Sequence, residues 1–100
     1  MNIVIAGTIR IPADKEAAFR PHMAEMMAAT RAEDGCIEYA FSFDAADPGL
    51  IRVFEIWRDM AALGPHGKAP HMLRWRAIGA EFGVTDRRIS IYEVASERAI

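Results

Sequence analysis

The sequence predicts an α+β fold in which one four-stranded antiparallel sheet carries helices against a single side. Three observations predict it. Two segments place apolar residues at helical spacing, and four shorter ones, rich in β-branched and aromatic residues, alternate with period two. The third is their order, β-α-β-β-α-β, the split βαβ arrangement of ferredoxin-like folds. At 100 residues the chain makes one domain, residues 1–100.

Residues 3–11 (IVIAGTIRI) alternate and are rich in isoleucine, as a strand requires. Pro12 ends this strand, and the Asp14 carboxylate is placed to cap the helix that follows. In that helix Phe19, Met23, Met26, Met27 and Thr30 form one apolar stripe. Pro21 removes a backbone donor and is expected to bend the first turns. The helix should run to about Ala32 and stop before Gly35, which suits a left-handed backbone. Residues 36–43 (CIEYAFSF) form the second strand, with Ile37, Tyr39, Phe41 and Phe43 on one face. DAADPG turns the chain, and residues 50–58 (LIRVFEIWR) return antiparallel as the third strand. Asp59 is placed to cap a short helix through Leu63, which the GPHG segment is expected to stop. Pro70 suits the first turn of the next helix, whose stripe is Met72, Trp75, Ile78, Gly79 and Phe82. Residues 86–95 (DRRISIYEVA) complete the sheet.

Helices on one side leave the other side of a four-stranded sheet bare, yet both faces carry apolar residues. Ile3, Ile5, Ile9 and Ile11 oppose Val4 and Ala6, while Ile51, Val53 and Trp57 oppose Leu50, Phe54 and Ile56. A bare apolar face on so small a protein predicts a partner, most simply a two-fold homodimer.

Composition excludes several classes. Apolar residues make up 52% and charged residues 26%, as in ordinary globular proteins, and the net charge is −2. Arg87-Arg88 is the only Arg-Arg pair, too little for a nucleic-acid footprint. No apolar run approaches the roughly 18 residues of a membrane span, and no basic segment precedes the first strand as in a signal peptide. One cysteine, Cys36, rules out an internal disulfide and fits a reducing cytoplasm; with no basic neighbour, it reads as structural. Ser-His-Asp ordering, phosphate-cradling glycine loops and dinucleotide fingerprints are missing.

The segment GPHGKAPH, residues 64–71, breaks an otherwise helical pattern and reads as a hinge between two helices. It presents His66 and His71. Together with Glu33-x-Gly35-Cys36-x-x-Tyr39, Glu55-x-Trp57 and Pro70-His71-Met72, it resembles the antibiotic biosynthesis monooxygenase family, including its quinol monooxygenase-like members. The resemblance implies a dimeric α+β barrel, two sheets packed face to face, with a pocket in each subunit between sheet and helices. It also implies cofactor-independent oxygenation of a small phenol or quinol, deprotonated to an electron-rich anion that reacts with O2 as co-substrate. Related domains include haem-degrading enzymes and an isomerase of a phosphorylated signalling molecule, so the fold alone does not assign the reaction. The haem-degrading branch needs an asparagine on the first strand and a histidine late in the third helix. Gly7 or Thr8 and Trp75 or Arg76 stand there, so haem is disfavoured. The chain departs from its relatives in flanking His66 with Gly64, Pro65 and Gly67 rather than ordinary helix formers.

His66 and His71 are the candidate bases, since an imidazole titrates near neutrality and can take a phenolic proton. Glycines around His66 predict mobility, whereas His71, anchored at a helix start that disfavours its charged form, is expected to be the better-held base. Glu55 shares a strand face with Val53 and Trp57, and it either orients one histidine or pairs with Arg87. Tyr39, Trp57, Met72 and Trp75 are the candidate substrate-binding residues. A spacing of five does not set two histidines on one helical face, so neither these nor His22 predict a metal site. Two alternatives use the same pocket: a proton-transfer isomerase of a hydroxy-carbonyl compound, with Arg10, Arg52 and Lys68 as phosphate contacts, and a non-catalytic small-molecule-binding dimer.

Overall fold

The computed structural model describes residues 1–100. Strands β1 (Ile3–Arg10), β2 (Cys36–Phe43), β3 (Leu50–Trp57) and β4 (Thr85–Glu93) form one antiparallel sheet in the order β2-β3-β1-β4. A 3-10 turn (Ala13–Lys15) leads into α1 (Glu16–Arg31), and α2 (Met60–His66) and α3 (Pro70–Phe82) join β3 to β4. The ferredoxin-like arrangement is therefore present, with one more short helix than the basic β-α-β-β-α-β order.

Register decides what faces the helices. Pairing Ile3 with Trp57, Ile5 with Glu55 and Ile9 with Ile51 aligns the inward rows of β1 and β3. These rows are buried beneath Phe19, Met23, Met26 and Thr30, the predicted α1 stripe. Burying a large aliphatic or aromatic side chain contributes about 1.5–3 kcal/mol, so this layer is the main source of cohesion. On the other face Val4, Ala6 and Ile56 are half-buried and Phe54 and Tyr92 exposed, with no helix above them. Val4 pairs with both Ile56 and Tyr92, and Ala6 with Phe54, so these side chains form one continuous apolar patch.

Several local expectations are corrected. Asp14 caps nothing: the backbone of Pro12 accepts from the Lys15 N–H to start a 3-10 turn, and α1 begins without a side-chain cap. Pro21 sits within α1, which continues unbroken to Arg31. Ile37 does not join Tyr39, Phe41 and Phe43. The β2–β3 register shifts between Cys36 and Glu38, and this irregularity turns Ile37 out to solvent while Cys36 pairs with Trp57.

The GPHG segment does not stop α2 either. Asp59 caps it as expected, accepting from the Ala62 N–H at 2.8 Å, but the helix runs through Gly64 and Pro65 to His66. Successive i to i+3 bonds, from Gly67, Lys68 and Ala69 back to Gly64, Pro65 and His66, tighten its exit and offset the donor Pro65 lacks. Gly35 then sets the neighbouring turn. Its φ of +86° is left-handed, and a Cβ there would lie 2.4 Å from the Ala62 Cβ. That contact brings the α1–β2 turn against α2, and so brings Glu33 against His66.

Candidate active site

Three segments meet at one carboxylate oxygen. Glu33, on the turn after α1, accepts at Oε2 from His66 Nδ1 at 2.6 Å and from His71 Nε2 at 2.8 Å. An ionised carboxylate only accepts, so the nitrogen each imidazole turns towards it carries the proton. For neutral His66 this selects the Nδ1–H tautomer and leaves a lone pair on Nε2. That Nε2 is enclosed and has no hydrogen-bond partner in the protein. The ring is 3% exposed and lies against Trp57 and Tyr39, with centroids 4.9 and 5.5 Å away. His66 is thus held in a helix end rather than in a mobile loop. His71 is the more exposed of the pair.

A cavity of about 340 Å³ opens between the inner sheet face and α2 and α3. His66, Tyr39, Glu55, Met72 and Trp75 line it, five of the seven residues singled out from the sequence. Trp75 stacks on Phe41 at 4.8 Å and 7°, giving the cavity a flat aromatic wall. The other two lie elsewhere. Trp57 is fully buried beneath His66 and forms no part of the wall. His71 reaches Glu33 from a small groove between α1 and α3, beside His22.

Glu55 plays neither expected part. It accepts from Trp57 Nε1 at 2.9 Å and bonds to no histidine. It forms no ion pair with Arg87, because β1 lies between β3 and β4. Burial pushes its carboxyl above the ordinary range, and the Trp57 bond and the positive charge of Arg87 offset part of this. Burial, then the Glu55 charge, raises the Tyr39 phenol well above its usual range, so it remains a hydroxyl donor. Burial also raises the Cys36 thiol, in keeping with a structural cysteine. The supposed phosphate contacts are elsewhere: Arg10 pairs with Asp47 and Arg52 with Asp44, and neither they nor Lys68 line the cavity.

Sequence reasoning named Glu33 as part of a motif but gave it no role. Its only local signal is the Gly35 two residues later, which permits the turn. Glu33, His66 and His71 also place possible metal-ligating atoms within 4.8 Å of one another, from two helices rather than one face. Their 2.6 and 2.8 Å separations are those of shared protons.

The family model for antibiotic biosynthesis monooxygenases matches residues 2–78. The chain belongs to the antibiotic biosynthesis monooxygenase family. An uncharacterized Synechocystis protein is 30% identical over 98% of the chain, and Rv0793 of Mycobacterium tuberculosis, provisionally named a monooxygenase, is 41% identical over 64%. The alignments cover 67% and 62% of those proteins, so the chain spans about two thirds of the length of the curated relatives it matches. A Deinococcus radiodurans structure, provisionally described as an antibiotic biosynthesis monooxygenase, superposes with a TM-score of 0.89 at 30% identity, covering 100% of this chain and 98% of that one. The segment matched by the family model contains Glu33, His66 and His71. It ends within α3, before the strand that adds Arg87, Ile89 and Ile91 to the cavity.

Proposed function

We propose that the chain is a cofactor-independent monooxygenase that oxidises a small phenol or quinol with O2, using His66 as general base. The observation that carries this reading is the pairing of His66 Nδ1 with Glu33, which leaves Nε2 without a partner in a residue that lines the cavity. A substrate hydroxyl seated there gives its proton to Nε2, and the imidazolium formed is stabilised by Glu33, as in other carboxylate–histidine pairs. Trp75 and Phe41 present a flat surface to the ring, Met72 adapts to its outline, and the Tyr39 hydroxyl donates to the developing oxyanion. The substrate is the only reductant. Its anion reacts with O2, one oxygen atom stays in the product, and the other leaves as water.

The working unit in this reading is a homodimer, formed by burying the patch of Val4, Ala6, Phe54, Ile56 and Tyr92 against its copy. Sedimentation at micromolar concentration should give a two-chain species, and a stable monomer would remove this part. Oxygen uptake tests the chemistry. With menadiol or an anthrone, the pure protein without added cofactor should exceed the buffer rate, and His66→Ala should lower that gain by about 10²–10⁴-fold. Uptake equal to buffer, or unaffected by His66→Ala, would refute the assignment; product formed without oxygen would instead favour proton-transfer isomerisation.

A further inference from the structure

The cavity is polar at two places of opposite sign. Glu55 lies inside it, 7% exposed. Arg76 of α3 and Arg87 of β4 also line it, but both are exposed. Neither forms an ion pair, whereas Arg10, Arg52 and Arg58 are each matched to an aspartate. The β4 row that includes Arg87 is the open side: Ile91 lines the cavity and is 51% exposed. The cavity lining therefore combines two exposed guanidinium groups without ion-pair partners and an enclosed carboxylate and imidazole.

We infer that Arg76 and Arg87 select a substrate bearing a carboxylate, which they hold at the cavity mouth while the hydroxyl points inward. This inference deepens the proposed function and rests on the cavity being the substrate site. Arginine suits the task because its planar fork meets a carboxylate in two parallel hydrogen bonds. The field along the cavity also orients the ligand. An anionic group is repelled from Glu55 and attracted by the mouth, so an aromatic hydroxy acid enters with its hydroxyl towards His66. A cavity at the small end of the usual ligand range fits one or two fused rings.

Calorimetric titration with a matched pair tests this without turnover. 6-Hydroxy-2-naphthoate and 2-naphthol share the ring and hydroxyl and differ in the carboxylate. The acid should bind about 10-fold more tightly at low salt, with the preference shrinking as salt rises. Arg76→Ala and Arg87→Ala should each remove part of the preference and the double variant nearly all of it, with 2-naphthol affinity unchanged. Both substitutions are on exposed residues, and an unaltered melting temperature verifies the fold. Equal binding of the two compounds by the wild-type protein, or a preference that survives the double variant, overturns the inference and leaves the base assignment standing. Failure of both to bind would overturn the cavity as an aromatic site, and the proposed function with it.

Discussion

Glu33, on a turn, and Glu55, in the middle of a strand, both lie near His66, but their surroundings differ. Glu33 accepts from two imidazoles through one oxygen and keeps 16% of its side chain exposed. Glu55 is more deeply enclosed, accepts from one indole N–H, and has its carboxyl pushed upward by burial. A carboxylate that meets two imidazole donors through one oxygen is suited to fix a tautomer. One enclosed in the sheet beside a single indole donor is suited to packing. Charge and proximity to a histidine alone do not separate the two; hydrogen-bond geometry and solvation do.

The same chemical change at both positions separates them in the laboratory. Glu33→Gln should lower turnover by about 100-fold or more, because an amide offers His66 a donor as well as an acceptor and no longer holds one tautomer. Steady-state oxygen uptake measures this, and a loss confined to KM would break the distinction. Gly35→Ala should act next most strongly. It forces a Cβ into Ala62 at a left-handed φ and should cost about 1–3 kcal/mol in denaturant unfolding, with turnover falling as Glu33 moves from His66.

Glu55→Gln should have the smallest effect on rate, changing kcat by less than about threefold. Its signature lies in stability. Since the folded-state pKa is raised, this group's stabilising contribution is fully present below the ordinary value of 4.5 and is lost as pH rises through the raised one. The glutamine variant cannot ionise, so its melting temperature should fall less than the wild type's over that interval. A variant whose pH profile matches the wild type's would show that Glu55 is not the group responsible.

These contrasts also explain what the sequence could convey. Strand alternation and the Phe19–Thr30 stripe follow directly from backbone periodicity, which is why the sheet, α1 and α3 were foreseeable. Ile37 misled because a register shift reverses the side of one residue without leaving a mark in the period-two pattern. Gly64 and Pro65 misled because local bonding after the proline sustains α2 where propensity alone would end it. The five cavity residues could be identified by type and position. Glu33 could not be assigned its role, because its bonds to His66 and His71 join residues far apart in the chain.

The central claim is that Glu33 holds neutral His66 as a base with its lone pair on Nε2. Long-range nitrogen–proton NMR correlation of the histidines, at about pH 8.5 to favour neutral imidazoles, measures this directly. His66 should carry its proton on Nδ1 in the wild-type protein and lose that tautomeric preference in Glu33→Gln. A proton on Nε2 in the wild-type protein would contradict it.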